Sequence, residues 1–298
     1  MRDKIKEYCE RENLVFGVTD AKPFWDIYEY LKNKNEDLEG FVCNDIEKRI
    51  DPKKMLPEAE SIIVIGKCYN KKIAFEMDDK KRCKLALGAF GEDYHIYLRK
   101  HLEEIADIIK EKNPDAKVLC FSDTGPLDDR EAARRAGLGA YGKNHLLITE
   151  KFGSAVNLGY IITDEKIEID EPLKKDFCKS CRKCIDSCPS GALTDKGYDF
   201  KKCISYISQK KGELSEWESE ILGNALYGCD ICLRACVYNN KFAGEVTDID
   251  EMYPEAEKIL SLTKSTFKKE YGDTAIFWRG LKTIKRNAEN ALKKGRIY

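Results

Sequence analysis

The run Cys178-x2-Cys181-x2-Cys184-x3-Cys188, closed at once by Pro189, constrains this chain more than any other feature. A cubane 4Fe–4S cluster needs four thiolates. Three closely spaced cysteines on one loop hold three irons, and in two-cluster ferredoxins the fourth cysteine of such a run serves the other cluster. A second half-motif follows, Cys229-x2-Cys232-x3-Cys236, with Cys203 between the halves. The crossover rule assigns Cys178, Cys181, Cys184 and Cys236 to one cluster, and Cys188, Cys203, Cys229 and Cys232 to the other. Zinc is the alternative, because paired C-x2-C motifs also build zinc sites. A secreted disulfide scaffold is excluded, since eight of the thirteen cysteines crowd into residues 178–236. The other five, Cys9, Cys43, Cys68, Cys83 and Cys120, are scattered and read as small buried hydrophobes.

A cluster carrier needs few residues, yet this chain has 298. The long stretch ahead of the cysteines points to an enzyme whose active site the clusters feed. Lys and Arg number 52 against 53 Asp and Glu, so the formal net charge is −1. Polyanion binding therefore requires a local basic patch. One exists at the C-terminus: Arg279, Lys282, Lys285, Arg286, Lys293, Lys294 and Arg296 face a single acid, Glu289. No apolar run reaches the roughly 18 residues of a membrane span, and the N-terminus has no apolar signal core. A cytoplasmic monomer is expected.

Residues 1–169 read as an α/β domain. Arg2–Asn13 and Asp93–Lys112 carry apolar residues at helical spacing, and Asn113-Pro114 stops the second helix. Leu14–Val18, Ser61–Gly66, Lys117–Phe121, Leu146–Thr149 and Val156–Thr163 read as strands, and Leu127–Ala136 as a helix ended by Gly137. Residues 170–240 form a ferredoxin-like two-cluster domain. Residues 241–298 form a basic helical segment.

The ordered motifs resemble those of the tRNA epoxyqueuosine reductases, cobalamin-dependent iron–sulfur enzymes related to reductive dehalogenases. The resemblance rests on Asp45–Arg49 with Pro52, Gly91-x-Asp93-Tyr94-His95, and Asp123-Thr124-Gly125-Pro126-Leu127 with Arg130. Ala136–Gly139, Gly142-Lys143-Asn144, Cys203–Tyr206, Tyr227–Asp230, Trp278-Arg279-Gly280 and Arg286-Asn287-Ala288 extend it. It implies a reductive-dehalogenase-like α/β cobalamin domain joined to a ferredoxin-like domain holding two 4Fe–4S clusters. The implied reaction converts the epoxycyclopentanediol on the wobble base of tRNA to the cyclopentenediol of queuosine, with electrons from a donor such as a ferredoxin or flavodoxin. The chain differs from the family in its apolar Leu85–Phe90 run, in Tyr160 after Leu158-Gly159, and in Val237 after the last cysteine. It stops at Tyr298, without the C-terminal helical repeats of many members.

Asp123 follows an apolar strand, at a strand end of the kind where open α/β sheets bind ligands. Beside an apolar corrin its carboxyl would stay protonated and act as a general acid; alternatively it caps the helix near Leu127. The resemblance favours the proton donor. It further implies cofactor contacts at Arg49, Lys143, Asn144, Leu147, Leu158, Ser205 and Asp230, and tRNA contacts at Lys211, Lys285 and Arg286. For these polar groups, solvated surface positions and turn hydrogen bonds are the plainer roles. Gly142-Lys143-Asn144 lacks the G-x4-G-K-[ST] pattern, which excludes a nucleoside-triphosphate loop. His95 and His101 lie six residues apart, off a common helix face, and read as packing or capping groups. Two other functions compete: a related reductase of another small electrophile such as an organohalide, and a non-catalytic two-cluster electron carrier.

Overall fold

The computed structural model describes residues 1–34, 41–73, 79 and 81–295. Arg296 of the basic tail lies outside the described residues. The chain divides into two compact units. Unit one comprises Met1–Cys68, His95–Gly142 and Leu146–Phe177; unit two comprises Tyr69–Tyr94, Lys143–His145 and Cys178–Tyr298.

Unit one is built on a four-stranded sheet of β1 (Val15–Asp20), β2 (Ser61–Cys68), β3 (Val118–Ser122) and β4 (Val156–Thr163), in the spatial order β1-β2-β4-β3. Every pairing is antiparallel. Ile62, Ile63, Val64 and Ile65 of β2 are all fully buried, so both faces of this strand are covered. That explains a continuous β-branched run where a half-exposed strand would alternate. Helix α1 (Arg2–Arg11) buries Ile5, Tyr8 and Cys9. Helix α2 (Tyr94–Lys112) buries Leu98, Leu102, Ile105 and Ile109, a stripe of i, i+4, i+7 and i+11 spacing. Cys120 Sγ of β3 lies 3.7 Å from the Leu102 carbonyl, which places α2 on that face of the sheet. Helix α3 (Asp129–Arg135) contributes Ala132 and Ala133 to a core shared with Ile62, Val64, Leu158 and Tyr160.

Unit two has its own core. Leu226, Met252, Tyr253, Ile259 and Ile276 meet Ile284, Ala288 and Ala291 of helix α4 (Leu281–Lys294). Ala225–Tyr227 pairs in parallel with Lys84–Leu85, so residues ahead of the cysteine run are built into this unit. Asn287 is fully buried and donates to the carbonyls of Ser208 and Leu226, at 2.6 and 2.8 Å. Among the described residues no helix is long and apolar enough to cross a membrane.

Candidate active site

In unit one, Asp123 directly follows β3 and takes φ 56°, the left-handed region that few non-glycine residues adopt. Aspartate tolerates it better than most, and such strain persists where surrounding structure enforces it. The enforcement is visible two residues on. Gly125 lies against the hydroxyl of the fully buried Tyr160, where any Cβ would clash. The Leu127 N–H donates to that same hydroxyl at 3.2 Å. The turn therefore throws the Asp123 side chain outward, 54 % exposed, with its Oδ2 3.7 Å from His95 Nε2 in the first turn of α2. Because the sheet is antiparallel, this turn fixes the position of Asp123; no strand crossover is involved.

The cap of α3 belongs to another residue. Asp128, not Asp123, is the N-cap, and its Oδ1 accepts from the Glu131 N–H at 3.1 Å. Its Oδ2 accepts from Arg49 at 3.0 Å, in a pair whose side chains are each only 10 % exposed. Arg49 thus ties its own helical turn, Ile46–Ile50, to the start of α3. Next in sequence, burial pushes the Asp129 carboxyl up to about 7; Arg130 opposes this, and Asp123 and Asp128 add to it. Leu147 and Leu158 are buried apolar residues of the same core. His101 packs deeper, with Tyr8 Oη 2.8 Å from its Nδ1 and Lys67 Nζ 2.8 Å from its Nε2. Burial, then the Lys67 charge, lowers its proton affinity.

In unit two the thiols fall into each other's fields. Burial pushes Cys184 up, and Cys178 and Cys236 push it further. Burial raises Cys229, with Cys203 and Cys232 adding to it. Cys232 is driven to about 12 by burial, then by Cys203, Cys188 and Cys184. The seven cysteines of the two half-motifs and Cys203 are all free of disulfides. A cavity of about 370 Å³ is lined by Cys229 and by Ser187, Ile204 and Ile231, the chain neighbours of Cys188, Cys203 and Cys232. Eight soft thiolates gathered in one unit are a donor set of the kind that holds iron–sulfur clusters.

Lys143 braces the loop of the first cysteine run. Its N–H points to Cys178 Sγ at 3.4 Å, and its Nζ donates to the carbonyls of Lys179 and Cys181 at 2.9 and 3.1 Å. Asn144 beside it is buried. Asp230 is buried at the cavity wall, where its Oδ2 accepts from the Leu87 N–H at 3.3 Å. The Ser205 carbonyl accepts from Ser208 and Gln209 within its own helical turn.

Among the described residues, Lys211 and the basic side chains of the tail have different surroundings. Lys211 is exposed in a turn and Lys285 is half-buried on α4. Arg286 instead donates to the carbonyls of Ile207, Ser208, Lys210 and Gly212, clamping α4 to the segment after Cys203. Arg279 is buried. Sequence reasoning missed His95 as the neighbour of Asp123. The signal was available in Gly91-x-Asp93-Tyr94-His95, but joining it to residue 123 needs the tertiary fold.

An α/β unit presenting an acid and a histidine, in one chain with eight grouped thiols, defines an iron–sulfur oxidoreductase. A family model described as epoxyqueuosine reductase QueG, DUF1730, matches residues 49–124, and a 4Fe-4S double cluster binding domain matches residues 177–239. The epoxyqueuosine reductase of Bacillus cereus is 38 % identical over 289 residues, covering 93 % of this chain and 75 % of its own. A selenomethionine-labelled epoxyqueuosine reductase superposes with a TM-score of 0.91 at 34 % identity, covering 98 % of this chain and 80 % of that one. Another, solved with an epoxyqueuosine-modified tRNA-Tyr stem loop, superposes with a TM-score of 0.90 at 34 % identity over the same shares. The chain belongs to the epoxyqueuosine reductase family.

Proposed function

We propose that this chain reduces epoxyqueuosine in tRNA to queuosine, with Asp123 as proton donor, two 4Fe–4S clusters as the electron route and cobalamin as the reactive cofactor. The observation that carries the reading is the Asp123 turn. It holds a half-exposed carboxyl beside His95 in a chain of this family, and the capping role belongs to Asp128. The relative solved with a modified stem loop supports tRNA as the substrate.

The reaction takes up two electrons and two protons and releases the epoxide oxygen as water. Asp123 gives a proton at the departing oxygen, and His95 orients the carboxyl and hands it the next proton. A positioned acid of this kind contributes on the order of 10²–10⁴-fold. When bound, reduced cobalamin supplies a low-potential nucleophilic metal centre. Asn144 and Asp230, both buried polar residues, would pair with its amide side chains. Cys178, Cys181, Cys184 and Cys236 hold one cluster, and Cys188, Cys203, Cys229 and Cys232 the other. Lys143 steadies the first cluster's loop. Lys211, exposed in a turn, and Lys285 on α4 are the proposed phosphate contacts. A cytoplasmic monomer served by a ferredoxin or flavodoxin, with functional segments 1–169, 170–240 and 241–298, completes the proposal.

The test is anaerobic reconstitution with iron, sulfide and hydroxocobalamin, followed by reduction and a stem-loop RNA carrying epoxyqueuosine. Queuosine measured by mass spectrometry is the expected product. A reconstituted chain that binds no corrinoid, or turns over only small organohalides, overturns the proposal.

A further inference from the structure

Trp278 is 52 % exposed, in the short helical turn Ala275–Arg279 just ahead of α4. Its indole is nonetheless fixed at two points. Its Nε1–H donates to the hydroxyl of Tyr227. The guanidinium of Arg279 sits over the ring, 3.8 Å from its centroid, while Arg279 itself is only 7 % exposed. An aromatic ring anchored at its edge and backed by a buried cation is organised before anything binds it. Tyr227 lies two residues ahead of Cys229, whose loop lines the cavity.

An enzyme that reacts a group on the wobble base must draw that nucleotide out of the anticodon-loop stack, at a cost in stacking energy. The flanking bases then lose a stacking partner. Proteins that read single-stranded loops replace it with aromatic and arginine planes on which the bases stack. We infer that Trp278 is the stacking platform for a nucleobase flanking the wobble position, a role that rests on the tRNA reading above. The other two tryptophans lack the surroundings for it. Trp217 lies between Glu216 and Glu218, acids that repel a phosphate backbone, and Trp25 precedes Asp26 with its ring set edge-on to Tyr28. Trp278 is followed by Arg279, Lys282 and Lys285, with Lys282 exposed.

The test uses the reconstituted holoenzyme and the epoxyqueuosine stem loop. Trp278→Leu keeps apolar bulk and removes the π face. It should raise KM for the stem loop about 10- to 100-fold while kcat stays within about threefold and iron content is unchanged. Trp278→Phe should recover most of the loss. Separately, 5-iodouridine next to the wobble position, irradiated on the wild-type enzyme, should crosslink to Trp278; this decides the matter even if Trp278→Leu fails to fold. An unchanged KM in Trp278→Leu, or crosslinks only at other residues, overturns the platform and leaves the tRNA reading intact. A wild-type enzyme that neither binds nor converts the stem loop overturns the tRNA reading itself.

Discussion

Replacing Asp123 by asparagine separates chemistry from structure. Asparagine tolerates the left-handed backbone at φ 56°, so the turn is kept. The side chain is 54 % exposed and is not the cap of α3. Stability should therefore move by no more than about 0.5 kcal/mol, the usual range for surface changes. The amide cannot supply the proton, and turnover should fall on the order of 10²–10⁴-fold, about 2.7–5.4 kcal/mol on the barrier. Asp128→Asn reverses the pattern. Asparagine caps a helix about as well as aspartate, so the cap survives, but the Arg49 charge, only 10 % exposed, is left without its carboxylate. Breaking such a buried pair costs about 3–5 kcal/mol, and each kcal/mol lowers Tm by about 2–4 °C in chains approaching this size. The assay is single-turnover conversion of the stem loop by pre-reduced enzyme, with thermal unfolding and cluster absorbance recorded on the same samples. An Asp123→Asn enzyme with wild-type turnover, or one destabilised as much as Asp128→Asn, refutes the reasoning.

Cys236→Ala should abolish the cluster built on Cys178–Cys184 and spare the one built on Cys229 and Cys232; electron paramagnetic resonance of the reduced protein distinguishes them, and loss of the second cluster alone refutes the crossover. Burial raises the Cys184, Cys229 and Cys232 thiols, so cluster assembly must expel protons, and iron incorporation should be more complete at pH 8.5 than at pH 6.5; the reverse order counts against buried protonated thiols. Asp129, with its carboxyl raised to about 7 from about 3.9 in an unfolded chain, holds its proton more tightly when folded. Its stabilising share is thus complete below about pH 4 and disappears as pH rises to about 7, so Asp129→Asn should gain Tm over wild type on going from pH 5 to pH 8; a gain independent of pH excludes this. Lys282, Lys285 and Lys293 changed together to alanine should flatten the salt dependence of stem-loop binding, whereas Arg286→Ala should lower Tm because its partners are backbone carbonyls; an unchanged salt slope removes α4 from the RNA-binding surface.

The strands of unit one were legible because their signals are local. Ser61–Cys68 is a β-branched run that only a doubly covered strand can use, and Val156–Thr163 matches its expected bounds. The antiparallel order was not legible, since helices intervene between strands in either topology. Unit two escaped the sequence reading in part because Lys84–Leu85 pairs with Ala225–Tyr227 across some 140 residues, and no periodicity reports a pairing of that range. The cysteine module was legible for the opposite reason: cluster ligands sit at fixed short spacings, so the donor set is written in the sequence itself.

The roles of charged residues were the least legible part, and Arg286 explains why. In sequence it is one of several cations in a basic tail, indistinguishable from Lys285. In the fold its guanidinium meets four carbonyls, because the helix after Cys203 ends at Gln209 and the backbone beyond it needs donors. A planar fork of five N–H groups can satisfy several carbonyls at once where an ammonium acts as a single point. Counting that residue as available charge therefore overstates what the tail offers a polyanion, and Arg279, buried behind Trp278, is a second case. Lys294 of α4 is itself paired with Glu220, so Lys282, Lys285 and Lys293 are the groups proposed to meet phosphate, and the arginines form the frame that holds them. RNA affinity should then track lysine substitutions, and stability should track arginine substitutions.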